Sequence, residues 1–223
     1  MDETRLLQEV EAHFAVTAAS TPGWASPHPD REPLDEEYSR VSDPAKWRIE
    51  GARALAWTLA LTELGVASRE GVAPSDIAVP GRRGWRVVPR AAGALPLRVV
   101  GDASVDDLLV DVDLRAGEPP VGVLETDCHC DACDSGSADL LEVHDRAWLD
   151  VVGGELVHLE APGRTATGGR EGWSGSWDGR STGETRAEQR AESEAIAHDL
   201  DAVRRGCAPR PLWQRVVHGA PWT

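Results

Sequence analysis

The stretch Asp127-Cys128-His129-Cys130-Asp131-Ala132-Cys133-Asp134 carries three of the chain's four cysteines within six residues. Zinc takes four ligands in a tetrahedron, commonly thiolates and imidazoles, and C-x-C-x-x-C supplies three of them on one tight turn. The fourth has three candidates: His144, if the loop folds back on the segment that follows it, Cys207, if the end of the chain comes near, and His129 from within the loop. Four acidic residues, Glu125, Asp127, Asp131 and Asp134, flank the thiols. Negative neighbours raise a thiol's pKa and disfavour a free thiolate nucleophile, whereas the same field attracts a divalent cation. The expected chemistry is therefore a zinc held by Cys128, Cys130, Cys133 and His144. Two other readings stay open. Cys130 and Cys133 form a C-x-x-C pair suited to thiol redox chemistry, with Cys128 as the resolving thiol, or the turn carries no metal in a purely structural or interaction protein.

A second group of polar residues lies upstream. His28, Asp30 and Arg31 could converge on a ligand, and Tyr38 and Arg40 follow closely enough to share that pocket. Against this, residues 20–37 carry Pro22, Pro27, Pro29 and Pro33, so the simpler expectation is an extended wrapping arm whose Trp24 plugs a surface depression. Nine tryptophans stand against one tyrosine and one phenylalanine. Trp24, Trp173 and Trp177 could stack on a ring-shaped ligand, although core and lid packing explains them more simply. Asp111 and Asp113 could form a metal pair, but two alternating polar positions on a half-exposed strand account for them. No G-x-S-x-G elbow, phosphate-cradling G-x-x-x-x-G-K-[ST] loop or H-E-x-x-H helix is present.

The elements that must position these residues are readable from periodicity. Thr4 to Ala15 has apolar residues at helical spacing. Asp43-Pro44 is a helix start and Gly65 a helix stop, and the segment between turns apolar nearly all round beyond Ala52, as a central core helix does. From Gly84 the period changes to two, through Trp85 and Val87, then Leu95, Leu97 and Val99, then Val110, Val112 and Leu114, and a last strand from Val121 to Leu124 leads into the cysteine loop at residues 126–136. Ser137 is placed to cap a helix that bears His144 on its apolar stripe. Leu156 to Ala161 reads as a strand, residues 163–183 as a Gly/Ser-rich loop, and Thr185-x-x-Glu188 as a capping box opening a long helix to Gly206. This order predicts an α+β fold in a single domain over residues 1–223, its antiparallel sheet packed against helices.

At 223 residues and 41% hydrophobic, the chain can bury a real core. The net charge of -15 repels phosphate backbones and anionic surfaces, and Lys46 is the only lysine, so nucleic acid and membrane are not expected partners. No window approaches the roughly 18 apolar residues of a span, and Met1 to Val10 lacks the pattern of a secretory signal. A cytoplasmic protein is expected, its partner a small molecule or another protein.

Three segments together resemble an uncharacterised family of actinobacterial proteins. They are Glu37-Tyr38-Ser39-Arg40-Val41-Ser42-Asp43-Pro44, the Trp24-to-Arg31 arm ending in His28-Pro29-Asp30-Arg31, and Cys128-x-Cys130-Asp131-Ala132-Cys133-Asp134. The resemblance extends over most of the chain. It implies a domain of unknown function and supplies no catalytic residues. The sequence thus points to a binding module with a structural zinc.

Overall fold

The computed structural model describes residues 2–73, 77, 79–104, 108–124, 128–177 and 185–222. Helix α1 (Glu3–Thr17) opens with the Asp2 carboxylate accepting from the Thr4 N–H at 3.1 Å, the expected answer to an orphan helical donor. It buries Leu6 and Val10 and is tied to the next helix by the Thr17 hydroxyl, which donates to the Ala52 carbonyl at 2.8 Å.

Helix α2 (Arg48–Glu63) is the central core helix that the apolar run predicts, and Gly65 takes a φ of 71° just beyond its end. Its start differs from the expectation. Asp43 caps only an isolated turn, its side chain accepting from the Ala45 N–H, and regular helix begins at Arg48. Gly51 explains how closely α2 lies on the sheet, since a Cβ there would stand 2.2 Å from the Leu109 carbonyl oxygen.

The first sheet is an antiparallel meander, β1 (Ala67–Gly71), β2 (Arg82–Pro89), β3 (Leu97–Ala103), β4 (Leu109–Ala116) and β5 (Val121–Leu124). Trp85 pairs with Val99, Val99 with Leu114 and Leu114 with Leu124, so one row of large apolar side chains crosses from β2 to β5. Trp85, Val99 and Leu114 join Trp57 and Leu61 of α2 in the main apolar cluster. The alternation of one buried and one wet face is thereby accounted for. Strand β5 leads towards the cysteine loop, and α3 (Ser137–Val152) follows it. Ser137 is the first helical residue rather than the cap, which is Gly136; the serine hydroxyl is taken up by Trp24 instead.

The second sheet contains the largest departure from expectation. Residues 164–168 and 173–177 are strands rather than loop: β6 (Val157–Ala161) pairs with β7 (Arg164–Gly168), and β7 with β8 (Trp173–Trp177). Thr165 and Thr167 alternate with the buried Ala166 and Gly168, a period of two hidden by small residues that also suit turns. Gly175 is required by the pairing, since a Cβ there would come within 2.5 Å of the Thr165 carbonyl oxygen. The remainder of the expected loop, residues 178–183, lies outside the described residues. Helix α4 (Arg186–Arg204) begins with the predicted Thr185–Glu188 capping box and sends Ile196, Leu200 and Val203 into a second apolar cluster with Leu159 and Trp213. Strand β9 (Arg215–His218) completes the sheet beside β6, and the chain then returns Trp222 to the main cluster, where its backbone N–H donates to the Val152 carbonyl at 3.0 Å. The architecture is α+β, two antiparallel sheets packed with helices.

Candidate metal centre

The cysteine loop is a narrow bend stabilised from outside. A short 3-10 turn, Asp131–Cys133, brings the Cys133 N–H to the Cys130 carbonyl at 3.1 Å. The result is a sulfur cluster. Cys128 Sγ lies 3.1 Å from Cys130 Sγ and 3.5 Å from Cys133 Sγ, and the three sulfurs all lie within 4.8 Å of one another. These are too long for disulfides, whose S–S bond is about 2.05 Å. Ligands on a tetrahedral zinc with bonds of about 2.3 Å stand about 3.8 Å apart, so the sulfurs need only small movements to accept one.

The thiols do not titrate alike. Cys130 is drawn down to about 7, chiefly by the hydrogen bond from the Cys128 thiol and further by the backbone N–H groups of Ser39 and Cys133, with burial opposing. Cys133 is pushed up to about 12 because Cys128 and Cys130 crowd it. Three thiolates this close repel one another unless a cation lies between them, which is what a bound metal supplies.

The surrounding carboxylates act differently from the sequence-based expectation. Asp131 accepts from Arg40 Nε at 2.6 Å, from the Ser42 N–H at 2.9 Å and from the Ser42 hydroxyl at 2.6 Å. These contacts, Arg40 first, hold its carboxyl well below the usual range. Asp134 accepts from Trp24 Nε1 at 2.8 Å and the Gly136 N–H at 2.8 Å, and it forms an ion pair with Lys46. Both charges are already answered by cations and donors, so neither is a free field drawing a metal in. Glu125 and Asp127 lie outside the described residues. What could hold a cation here is the sulfur cluster itself.

The proline-rich arm is the other half of the clamp. His28 donates from Nε2 to the Asp131 carbonyl at 2.8 Å, and the Asp131 N–H donates to the Arg40 carbonyl at 2.7 Å. Arg31 makes a two-pronged pair with Glu37 at 2.8 and 2.7 Å, which with the Leu34 N–H holds Glu37 down to about 2. Arg40 Nη2 comes within 3.5 Å of the same carboxylate. Of the proposed ligand-pocket residues, His28, Arg31 and Arg40 thus converge, but His28 Nε2 and the two guanidinium groups are taken up by Asp131 and Glu37, leaving His28 Nδ1 buried without a partner. Asp30 and Tyr38 stand exposed. Trp24 packs edge-on against Trp47, with centroids 5.4 Å apart, while Trp173 and Trp177 belong to β8 and pack on the second cluster. The three tryptophans do not form one platform.

His129 is turned to other work. Its ring stacks on Trp47 at 4.2 Å, with Nε2 2.8 Å from Glu50 Oε1 and Nδ1 2.6 Å from Asp111 Oδ1. Both ring nitrogens are thus engaged by carboxylates, which leaves neither for a metal. Asp111 is thereby a partner of His129, and Asp113 pairs with Arg82, so these two aspartates do not form a metal pair. Cys207 is exposed beyond α4 and is not part of the sulfur cluster. His144 is buried on α3, and its ring nitrogens are outside the 4.8 Å set as well. It does line a cavity of ≈ 90 Å³ whose wall also holds Cys133.

Among the described residues, three that are not glycine hold a positive φ: Ser39 at 68°, Asp111 at 52° and His129 at 54°. All three touch the cysteine loop or belong to it, and backbone strain of this kind gathers where the surroundings enforce a geometry.

The pattern that defines a family of unknown function, DUF6226, matches residues 10–223. The chain belongs to that family. No curated protein and no solved structure matches it. In this DUF6226 chain the residues that sequence reasoning passed over are Ser39, Ser42, Lys46, Trp47 and Glu50. Of these, Glu50 had a signal: an acid just ahead of the stretch beyond Ala52 that turns apolar nearly all round. No helix of the described residues is long and apolar enough to cross a membrane.

Proposed function

We propose that this protein is a metal-dependent binding module in which Cys128, Cys130 and Cys133 hold a zinc ion as three thiolates. The observation that carries the reading is the clustering of the three sulfurs, with Cys128 as hub at 3.1 and 3.5 Å. Soft thiolates select zinc over magnesium or calcium, and in a reducing, cytoplasmic setting they stay free to do so. The metal would take up the repulsion that keeps Cys133 protonated. It would also fix the loop against the arm, so that residues 24–42 and α3 are held in one arrangement.

The test is zinc measured by mass spectrometry on protein prepared without a histidine tag. About one equivalent per chain is expected, with most of it lost in Cys128→Ser, Cys130→Ser or Cys133→Ser. Wild-type protein with well under half an equivalent removes the reading.

A second reading, thiol redox chemistry, draws on the same distances. Cys128 Sγ lies 3.1 Å from Cys130 Sγ and 3.5 Å from Cys133 Sγ, so a peroxide would form a disulfide within Cys128 to Cys133. Mass mapping after mild peroxide treatment distinguishes the two readings, since thiols that stay alkylatable in the metal-free protein end the redox alternative.

A further inference from the structure

Three thiolates leave a tetrahedral cation one ligand short, and among the described residues none completes it. His129 is engaged by Glu50 and Asp111, and neither Cys207 nor His144 joins the sulfur set. Closed four-ligand sites are the structural kind, whereas a position kept open is where a zinc meets water or a substrate.

The cavity beside Cys133 has the features of a place for that missing ligand. It lies between the cysteine loop, the start of α2 and α3, and its volume of ≈ 90 Å³ suits several non-hydrogen atoms better than a single water. Trp47, Leu124, Leu140 and Val143 form its apolar side, and Asp134 and Asp139 line it as well. Two buried polar side chains in the wall have no protein partner, Trp47 at Nε1 and His144 at both ring nitrogens. His144 is 1% exposed, and neither of its ring nitrogens has a hydrogen-bond partner. A buried polar group without a partner carries the full penalty of losing water, so an imidazole kept in this state inside a cavity wall marks a place where something else binds.

We propose that the cavity receives a low-molecular-weight thiol whose sulfur occupies the fourth position on the metal held by Cys128, Cys130 and Cys133, with His144 hydrogen-bonding the ligand from the wall. The proposal rests on the metal reading given above. A cation already bound by three thiolates is soft and favours a fourth sulfur over oxygen, and four thiolates round zinc is an ordinary set. A neutral imidazole offers one N–H, which can donate to the ligand's sulfur, and the apolar wall covers a short hydrocarbon body. On binding, the ligand's S–H bond breaks heterolytically. The electron pair stays on sulfur and becomes the sulfur–metal bond, the proton leaves to solvent, and nothing is oxidised or reduced.

The probe is 2-mercaptoethanol added to cobalt(II)-substituted full-length protein, followed by the visible d–d and sulfur-to-cobalt charge-transfer bands. A saturable gain in charge-transfer intensity is expected, while ethylene glycol, the oxygen analogue, has no effect. Val143→Trp, at an exposed position of the cavity wall, should raise the half-saturating thiol concentration about tenfold with cobalt stoichiometry unchanged. His144→Phe should do the same. Cobalt that binds but whose spectrum ignores the thiol up to tens of millimolar overturns the inference and leaves the metal reading standing. An equal response in wild type and Val143→Trp also overturns it. Wild-type protein that takes up no cobalt overturns both.

Discussion

Arg40 Nε stands 2.6 Å from Asp131 Oδ2, joining a residue at the end of the arm to one inside the cysteine loop 91 positions later. Ser42 adds a backbone N–H and a hydroxyl to the same carboxylate, and the Asp131 N–H answers the Arg40 carbonyl. Asp131 is therefore a clasp between two segments that share no element. It touches no sulfur through its carboxylate, yet it sets the bend on which Cys130 and Cys133 lie.

Removing the clasp should loosen the loop without removing a ligand. Arg40→Ala or Asp131→Ala is expected to weaken zinc affinity about tenfold, the usual scale for a partner that orients ligands. Arg40→Lys should recover little, because an ammonium cannot reproduce the directed guanidinium contact. Affinity measured by competition with a chelator checks this. Wild-type affinity in Asp131→Ala would show that the loop keeps its shape unaided.

The arm should let go in acid. Glu37 is held down to about 2 and Asp131 lower still, chiefly by Arg31 and Arg40 respectively, whereas unfolded carboxyls titrate near about 4. Both pKa values are depressed by folding, so their contribution is complete above about pH 5 and is lost as pH falls from about 4 towards 2. The indole N–H resonance of Trp24, bonded to Asp134 in the folded loop, is a local reporter. It should move across that window before global unfolding, and a signal that changes only together with the global transition would contradict a separate release of the arm.

How much of this was legible before the fold was known depended on how local each cause was. The capping box at Thr185 and Glu188, the stop at Gly65 and the clustering of three cysteines all arise within a few residues, and each stands where expected. Strand β1 was not legible because Ala67 alone of its residues is buried, leaving no alternation to see. The role of the acids was misread for a related reason. Asp131 and Asp134 look like free charges in the sequence, but their partners Arg40 and Lys46 are 91 and 88 positions away. Glu50, 79 positions from His129, is a feature of the site only through the tertiary fold.

Gly51 tests how closely α2 must approach the sheet. Alanine is the better helix former by about 1 kcal/mol. Its Cβ, however, would meet the Leu109 carbonyl oxygen at 2.2 Å and the Leu109 nitrogen at 2.5 Å, backbone atoms that cannot turn aside. The collision should win, and Gly51→Ala is expected to destabilise by about 2 kcal/mol in urea titrations. An unchanged midpoint would mean that α2 can slide off β4 freely.

The second cluster has its own polar anchor. Asp199, buried in α4, accepts from Trp213 Nε1 at 2.7 Å, the Arg210 N–H at 2.9 Å and Arg210 Nε at 2.6 Å. Asp199→Ala strands a buried indole N–H and leaves Arg210 with Glu192 alone. About 3 kcal/mol of lost stability is expected, read from thermal melting. A loss below about 1 kcal/mol would mean that water replaces the carboxylate readily.

Glu50→Gln separates shape from hydrogen-bonding sense at the site. The fully buried carboxylate has two tasks, with Oε1 2.8 Å from His129 Nε2 and Oε2 accepting from the Val112 N–H at 3.2 Å. A glutamine keeps the volume but offers one acceptor and one donor. If its oxygen serves His129, its NH₂ faces the Val112 N–H and two donors oppose each other in the core; the flipped amide fails His129 in the same way. About 1–3 kcal/mol of stability should be lost, with faster hydrogen exchange at Val112, and the loss should reach the loop because His129 lies between Cys128 and Cys130. Zinc affinity is therefore expected to fall along with stability. If Glu50→Gln keeps wild-type exchange at Val112 and full zinc affinity, the link from α2 through His129 to the sulfurs does not hold the loop.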